Sequence, residues 1–310
     1  ESWYPLGANS VIQSINKQNV YDPRMISDKG PGMGDSNWRT EAIGDVISQK
    51  AADYIAKQPT DKPFFLYYAS PMAHLPHVPP TSFAGKPVAG TTPSAHLDMV
   101  YELDLQIARI TDALKAKGVY DNTLIIFTSD NGGLTYRVPG TLASGHKPSA
   151  NYRGSKNASH EGGHRVPFIA VWPNKIKSGA MSREPVLVQD ILATISAAAG
   201  GKLAEQDRPD SLNLLPLMTG VGEYQPRQFM MLQGGSRSEV IYREGDWKLI
   251  MQSDHKITQF KPTALFNLKD NMNEKEAKNL LKMARYQTKV SQMRAKYLDI
   301  RQSGVATVPM

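Results

Sequence analysis

Between residues 40 and 57 apolar side chains fall at Ile43, Val46, Ile47, Ala51, Tyr54 and Ile55. These steps of three and four predict a helix, which Pro59 closes. PFFLYYAS (63–70) follows as a nearly continuous apolar and aromatic run, the pattern of a strand buried on both faces. After a loop rich in His and Pro, MAHLPHVPP, a second helical stripe runs through Val100, Leu103, Ile107, Ile110 and Leu114, from about Ala95 to Lys117, with Gly118 as its cap. TLIIFTSDNGG (123–133) then reads as a short strand that ends abruptly in polar residues. A long loop separates it from a third strand, VPFIAVWP, and Val188 to Ala199 is another helix. Strand, helix, strand and helix in this order predict an α/β domain with a mainly parallel sheet.

The period changes after about Gly222. Alternating runs such as SEVIYR and DWKLIMQ, joined by turns, predict a small antiparallel sheet. The last helix shows Met283, Tyr286, Val290, Met293, Tyr297 and Ile300 on one face. The division expected is therefore 1–222 for the α/β part and 223–310 for a small α+β subdomain. Residues 1–38 are loop-like, and their GPGMGD stretch (30–35) lacks both the following Lys-Ser/Thr and the preceding strand of a phosphate loop.

Bulk composition is that of a globular protein, with 40% hydrophobic and 21% charged residues. No segment reaches the ~18 to 20 apolar residues of a membrane span, so no membrane partner is expected. The chain opens with ESWYPLGANS, which has no initiator Met and no signal region. That opening fits a removed leader or a piece of something longer. The absence of cysteine excludes disulfides, thiolate zinc sites and a cysteine nucleophile within these residues.

The net charge of +7 favours anionic partners. It concentrates near the end, at Lys275, Lys278, Lys282, Arg285, Lys289, Arg294, Lys296 and Arg301. A solvated helix face is the simpler reading there, since no nucleic-acid fold motif accompanies it. The letters assign no oligomeric state.

Asp130 and Asn131 end the 123–128 strand as a carboxylate beside an amide. Turn chemistry explains the pair, and so does a hard cation that takes such oxygens. Lys156 in YRGSKNASHEGGHRVP and His74 in MAHLPHVPP are each weak singly, but both lie in loops beside expected strands. Ligands of α/β sheets gather outside the strand ends. A cation, a lysine and a histidine together suit the grip of an oxyanion such as sulfate or phosphate, with the imidazole able to protonate a departing oxygen. His77 and His146 are read as loop residues without a catalytic role.

These segments resemble the sulfatases of the alkaline phosphatase superfamily, in order and over nearly the whole chain. DNTLIIFTSDNG is similar to that family's second calcium motif, and Lys156 stands five residues before Glu161 as in the family's lysine segment. FFLYYASPMAHLPHVPP resembles the strand followed by His-x-Pro, and VLVQDILATISAAAG, DSLNLLPLMTG and GDWKLI follow as weaker landmarks. The resemblance implies an alkaline phosphatase-like fold. It also implies that Asp130 and Asn131 are calcium ligands, that His74 contacts the sulfate and assists the leaving oxygen, and that Lys156 binds the sulfate. The substrate would be an aryl or carbohydrate sulfate ester, and the setting periplasmic or secreted.

The family's formylglycine precursor, a Cys or Ser in a Cys/Ser-x-Pro-x-Arg motif, is not found, nor is its early Asp-Asp calcium pair. The expectation is that these residues are the C-terminal two-thirds of a sulfatase, inactive and weak in calcium binding by themselves. An exposed edge or apolar surface is expected where the first strands would lie. A phosphonate or phosphate ester hydrolase of the same fold, and a non-catalytic anion-binding remnant, are the alternatives.

Overall fold

The structure, a computed structural model, describes residues 40–74, 77–134, 140–141, 143–207, 210–234 and 238–303. The glycine-rich 30–35 stretch and the Leu-Pro after His74 lie outside these. The chain divides into two compact units, Glu1–Asp121 with Arg137–His146, and Asn122–Tyr136 with Lys147–Met310.

In the first unit α1 (Ile43–Lys57) starts from a 3-10 turn at Thr40–Ala42 and buries Ile43, Ile47, Ala51 and Ile55 of the expected apolar set, while Tyr54 is half-buried and Val46 is 39% exposed. A hairpin of β1 (Ser82–Phe83) and β2 (Lys86–Pro87) turns on Ala84 and Gly85, both at positive φ. The 22-residue helix α2 (Ala95–Ala116) is capped by Ser94, whose Oγ accepts from the Leu97 N–H at 3.3 Å.

The expected stripe of α2 is only partly its buried face. Leu114 is buried, but Val100 is 38% exposed and Leu103, Ile107 and Ile110 are half-buried. Met99, Glu102, Leu105 and Gln106 face inward instead. The cause is the small side of α1. Gly44 lets α2 approach so closely that a Cβ there would stand 1.9 Å from Glu102 Oε1, which draws polar groups into the interface.

Residues 63–70 differ from the doubly buried strand expected. They form no ladder among the described residues, and they alternate: Phe65 is 64% and Tyr67 77% exposed. Phe64 and Tyr68 turn the other way, Phe64 edge-on to Tyr54 and Tyr68 packed near Ile43 and Ile47. The Tyr68 hydroxyl donates to Gln106 Oε1 at 2.6 Å. One face of the segment therefore packs on the helices and the other remains open.

In the second unit β3 (Ile125–Thr128) is followed by the single-turn helix α3 (Glu161–His164) and by β4 (Phe168–Val171). β3 and β4 pair antiparallel, Ile125 opposite Val171 and Thr128 opposite Phe168, and every ladder among the described residues is antiparallel. The parallel order expected is therefore not found between these two strands. The segment joining them is long enough for a crossover, but α3 is the only helix in it among the described residues, and the chain returns alongside β3 in the opposite direction. The short helices α4 (Asp190–Ala198) and α5 (Leu215–Thr219) come next.

The antiparallel sheet expected after 222 is present as a four-stranded meander of β5 (Phe229–Gln233), β6 (Glu239–Glu244), β7 (Trp247–Ser253) and β8 (Phe260–Asn267). Alternation sorts its residues into two faces. Val240, Tyr242, Leu249, Met251 and Leu265 pack with Val290, Met293 and Tyr297 of α6 (Gln287–Ser303). Ile241, Ile250, Ala264 and Phe266 form a second cluster on the opposite face.

Candidate functional site

β3 carries Asp130 and Asn131 just past its end, and two backbone bonds tie that turn to the lysine segment. The Gly132 N–H donates to Gly163 O at 3.0 Å, and the Lys156 N–H donates to Gly133 O at 2.8 Å. Gly132 is required by this approach, because a Cβ there would stand 2.0 Å from Gly162 O. The lysine segment is folded on itself as well. Gly162 N–H donates to Arg153 O at 2.8 Å, and Asn157 adopts a left-handed φ of 74° in the turn directly after Lys156. Asp130 is exposed, while Asn131 and Lys156 are half-buried. Three of the four site residues read from the sequence therefore stand on neighbouring, mutually bonded loops of one unit.

Oxygen atoms of the kind that calcium takes are present at Asp130 and Asn131, and Asn131 Nδ2 donates to Gly132 O at 3.2 Å, so Oδ1 is the atom of that side chain that could ligate a cation. Calcium takes six to eight oxygens. Among the described residues no group of three or more His, Cys, Asp or Glu is placed to hold a metal ion. The two residues fit as part of a ligand set and do not make a complete one.

Beneath the lysine segment lies a cluster of buried charges that the sequence reading missed. Glu161, Lys248 and Glu274 are all fully buried. Lys248 Nζ is 2.9 Å from Glu161 Oε1 and 2.8 Å from Glu274 Oε1. The Glu161 N–H donates to Glu274 Oε2 at 2.5 Å, and Arg165 Nε donates to Glu161 Oε2 at 2.7 Å. Burial alone would push the Glu161 carboxyl up, but the His164 hydrogen bond and the charges of Lys248 and His164, with Arg165, hold it well below the usual carboxylate range.

Lys248 shares a sheet face with Ile250, so the meander points its lysine at the Glu-Gly-Gly segment. These ion pairs cross residue 222, the boundary drawn from the letters. One signal was available: a lysine inside the apolar strand run WKLIM must either snorkel or find a buried partner.

His74 belongs to the first unit, where it follows the open 63–70 segment and its N–H donates to Pro71 O at 2.9 Å. The same unit brings together His77, His96 and His146. Ring centroids lie 4.9 Å apart for the first two and 6.4 Å for the second pair. Burial and its two neighbours lower the His96 pKa, and burial with the nearby His74 lowers that of His77. His96 was hidden in the sequence inside a helical pattern.

The chain matches the Sulfatase family model over residues 4–201 and belongs to that family. It is 36% identical over 222 residues to an N-acetylgalactosamine-6-O-sulfatase of Bacteroides thetaiotaomicron, a match covering 70% of this chain and 42% of the relative. Human arylsulfatase A is 36% identical over 183 residues, 59% of this chain and 34% of its own length. A solved structure described under the metabolism of multiple glycosaminoglycans by Bacteroides thetaiotaomicron superposes with a TM-score of 0.71 at 30% identity. That superposition covers 86% of this chain and 55% of the other. The fold is thus alkaline phosphatase-like, mixed in helices and sheets, and the chain spans less than half the length of these two curated relatives.

Proposed function

We propose that this chain is the part of a sulfuric ester hydrolase that holds the sulfate-binding lysine, the assisting histidine and two oxygen ligands of a calcium site. The observation that supports this reading is the double backbone tie, Gly132 to Gly163 and Lys156 to Gly133, which fixes the Asp130–Asn131 turn beside Lys156. In the proposed reaction the Lys156 ammonium neutralises a sulfate oxygen as charge builds on it. His74 gives a proton to the ester oxygen as the S–O bond to the alcohol breaks. The nucleophile, a formylglycine hydrate, would come from outside these residues. Asp130 and Asn131 would supply two or three of the calcium oxygens.

The substrate class is an aryl or carbohydrate sulfate, and the names of the relatives, an N-acetylgalactosamine-6-O-sulfatase and an arylsulfatase, support it. A periplasmic or secreted setting goes with that class. No helix among the described residues is long and apolar enough to cross a membrane.

The test compares turnover of an aryl sulfate and the matching aryl phosphate by the longer protein that contains this chain. Faster sulfate turnover, reduced about 100-fold or more by Lys156→Ala and by His74→Ala, is expected. Preference for the phosphate ester, or full activity in both variants, would overturn the reading.

A further inference from the structure

The span 275–301 carries eight basic side chains against two acids, Glu276 and Asp299. Seven of the eight are exposed and Lys289 is half-buried. Glu276 is engaged by Arg153 at 3.0 Å, and Lys296 pairs with Glu244 at 2.5 Å. Little else within the span offsets the positive charge.

Aromatic rings interleave with these cations. Lys289 Nζ lies 4.9 Å from the centre of the Trp247 ring, and Arg285 Cζ lies 4.9 Å from that of Tyr286. The two rings are 5.4 Å apart and tilted by 55°. Both pack on the sheet core with their inner edges and are half-buried, so part of each remains open to solvent. Beside them is an open hollow of about 400 Å³, lined by Glu244, Lys289, Gln292, Met293, Ala295 and Lys296. Lys289 belongs to both features, and all of them lie in the second unit.

We propose that this face binds a sulfated polysaccharide. Ammonium and guanidinium groups pair with sulfate esters, the open parts of Trp247 and Tyr286 stack on sugar rings, and the hollow receives a sugar of the chain. The surface holds the polymer, whereas the loops of Asp130 and Lys156 hold a single ester. Cations beside rings would also serve single-stranded nucleic acid, and the choice of a sulfated glycan rests on the sulfatase reading.

The present chain is titrated with chondroitin sulfate, with the same polymer after desulfation, and with oligothymidylate, following tryptophan fluorescence and the salt dependence of binding. Saturable binding to the sulfated polymer is expected, weakened at least about tenfold by Lys289→Glu and by Arg285→Glu. Binding that steadily weakens with added salt is also expected. Lys289→Gln and Arg285→Gln give the same comparison should a charge reversal unfold the chain.

Equal affinity for the desulfated polymer or for oligothymidylate overturns the proposal, as does undiminished binding by folded variants of both positions. Hydrolysis plays no part in the readout. Failure here with intact aryl sulfate turnover sinks this surface alone, and binding without turnover sinks the proposed activity alone.

Discussion

Glu102 and Glu161 are both buried carboxyls, yet their surroundings drive them in opposite directions. Glu102 sits between α1 and α2, and burial, with the negative charge of Asp45, pushes its pKa up to about 7 despite the hydrogen bond from Gln106. Its folded pKa lies above the unfolded value, so its contribution is fully present below the unfolded pKa and is lost as pH rises through about 7. Glu102→Gln should therefore stabilise the chain at pH 8 by about 1 to 3 kcal/mol and change little at pH 4. Urea denaturation at the two pH values checks this. Glu161 is the reverse case: its depressed pKa gives stability that is present above the unfolded carboxylate pKa and lost as pH falls below it. The charged cluster should thus open in acid while the α1–α2 interface tightens.

At the scale of elements, the meander supports the Glu-Gly-Gly segment chiefly through Lys248 of β7, with Arg243 of β6 3.6 Å from Glu161 and Glu239 of β6 accepting from Ser159. Lys248→Met would leave Glu161 and Glu274 facing each other across a buried gap, with Arg165 and Arg243 still on the former. The expected cost is about 3 to 5 kcal/mol, because an uncompensated buried charge is left behind. Adding Glu161→Gln and Glu274→Gln should restore much of it, and thermal unfolding of single and triple variants separates the outcomes. On the other face, Met293→Ala should cost about 2 to 4 kcal/mol, since Met293 is 1% exposed in the cluster between sheet and α6. Gly132→Ala tests the site's backbone tie directly. Its Cβ would meet Gly162 O at 2.0 Å, so the Asp130 turn must separate from the lysine segment. Faster amide exchange at position 132 and at Lys156 is the expected signature.

For the whole molecule, open apolar surface and excess positive charge are the governing features. Phe65 and Tyr67 project from an extended segment that forms no ladder among the described residues of the first unit, and Ile169 of β4 is 54% exposed in the second. Exposed aromatic and branched side chains beside unpaired backbone favour association. The chain should self-associate with rising concentration, and Phe65→Ser with Tyr67→Ser should shift sedimentation towards the monomer. The net charge of +7 opposes that association at low ionic strength, so added salt should promote it.

Sequence alone determined the family, the α1 face, the antiparallel meander with its terminal helix, and the loops where Asp130, Asn131 and Lys156 stand. These depend on local period, on turn chemistry and on ordered motifs, all of which are written along the chain. Tertiary structure decided what depends on neighbours far apart in sequence. Gly44 alone says nothing of Glu102, yet their approach turned the buried face of α2 from its apolar stripe towards polar groups. The loop between β3 and β4 shows no direction in its letters, and only the pairing made the two strands antiparallel. Lys248 reads as an oddity in a strand until Glu161 of α3, 87 residues away, meets it on one face of the sheet. Local period reports which side chains avoid water, whereas packing alone selects the partners that let a buried charge or a polar helix face exist.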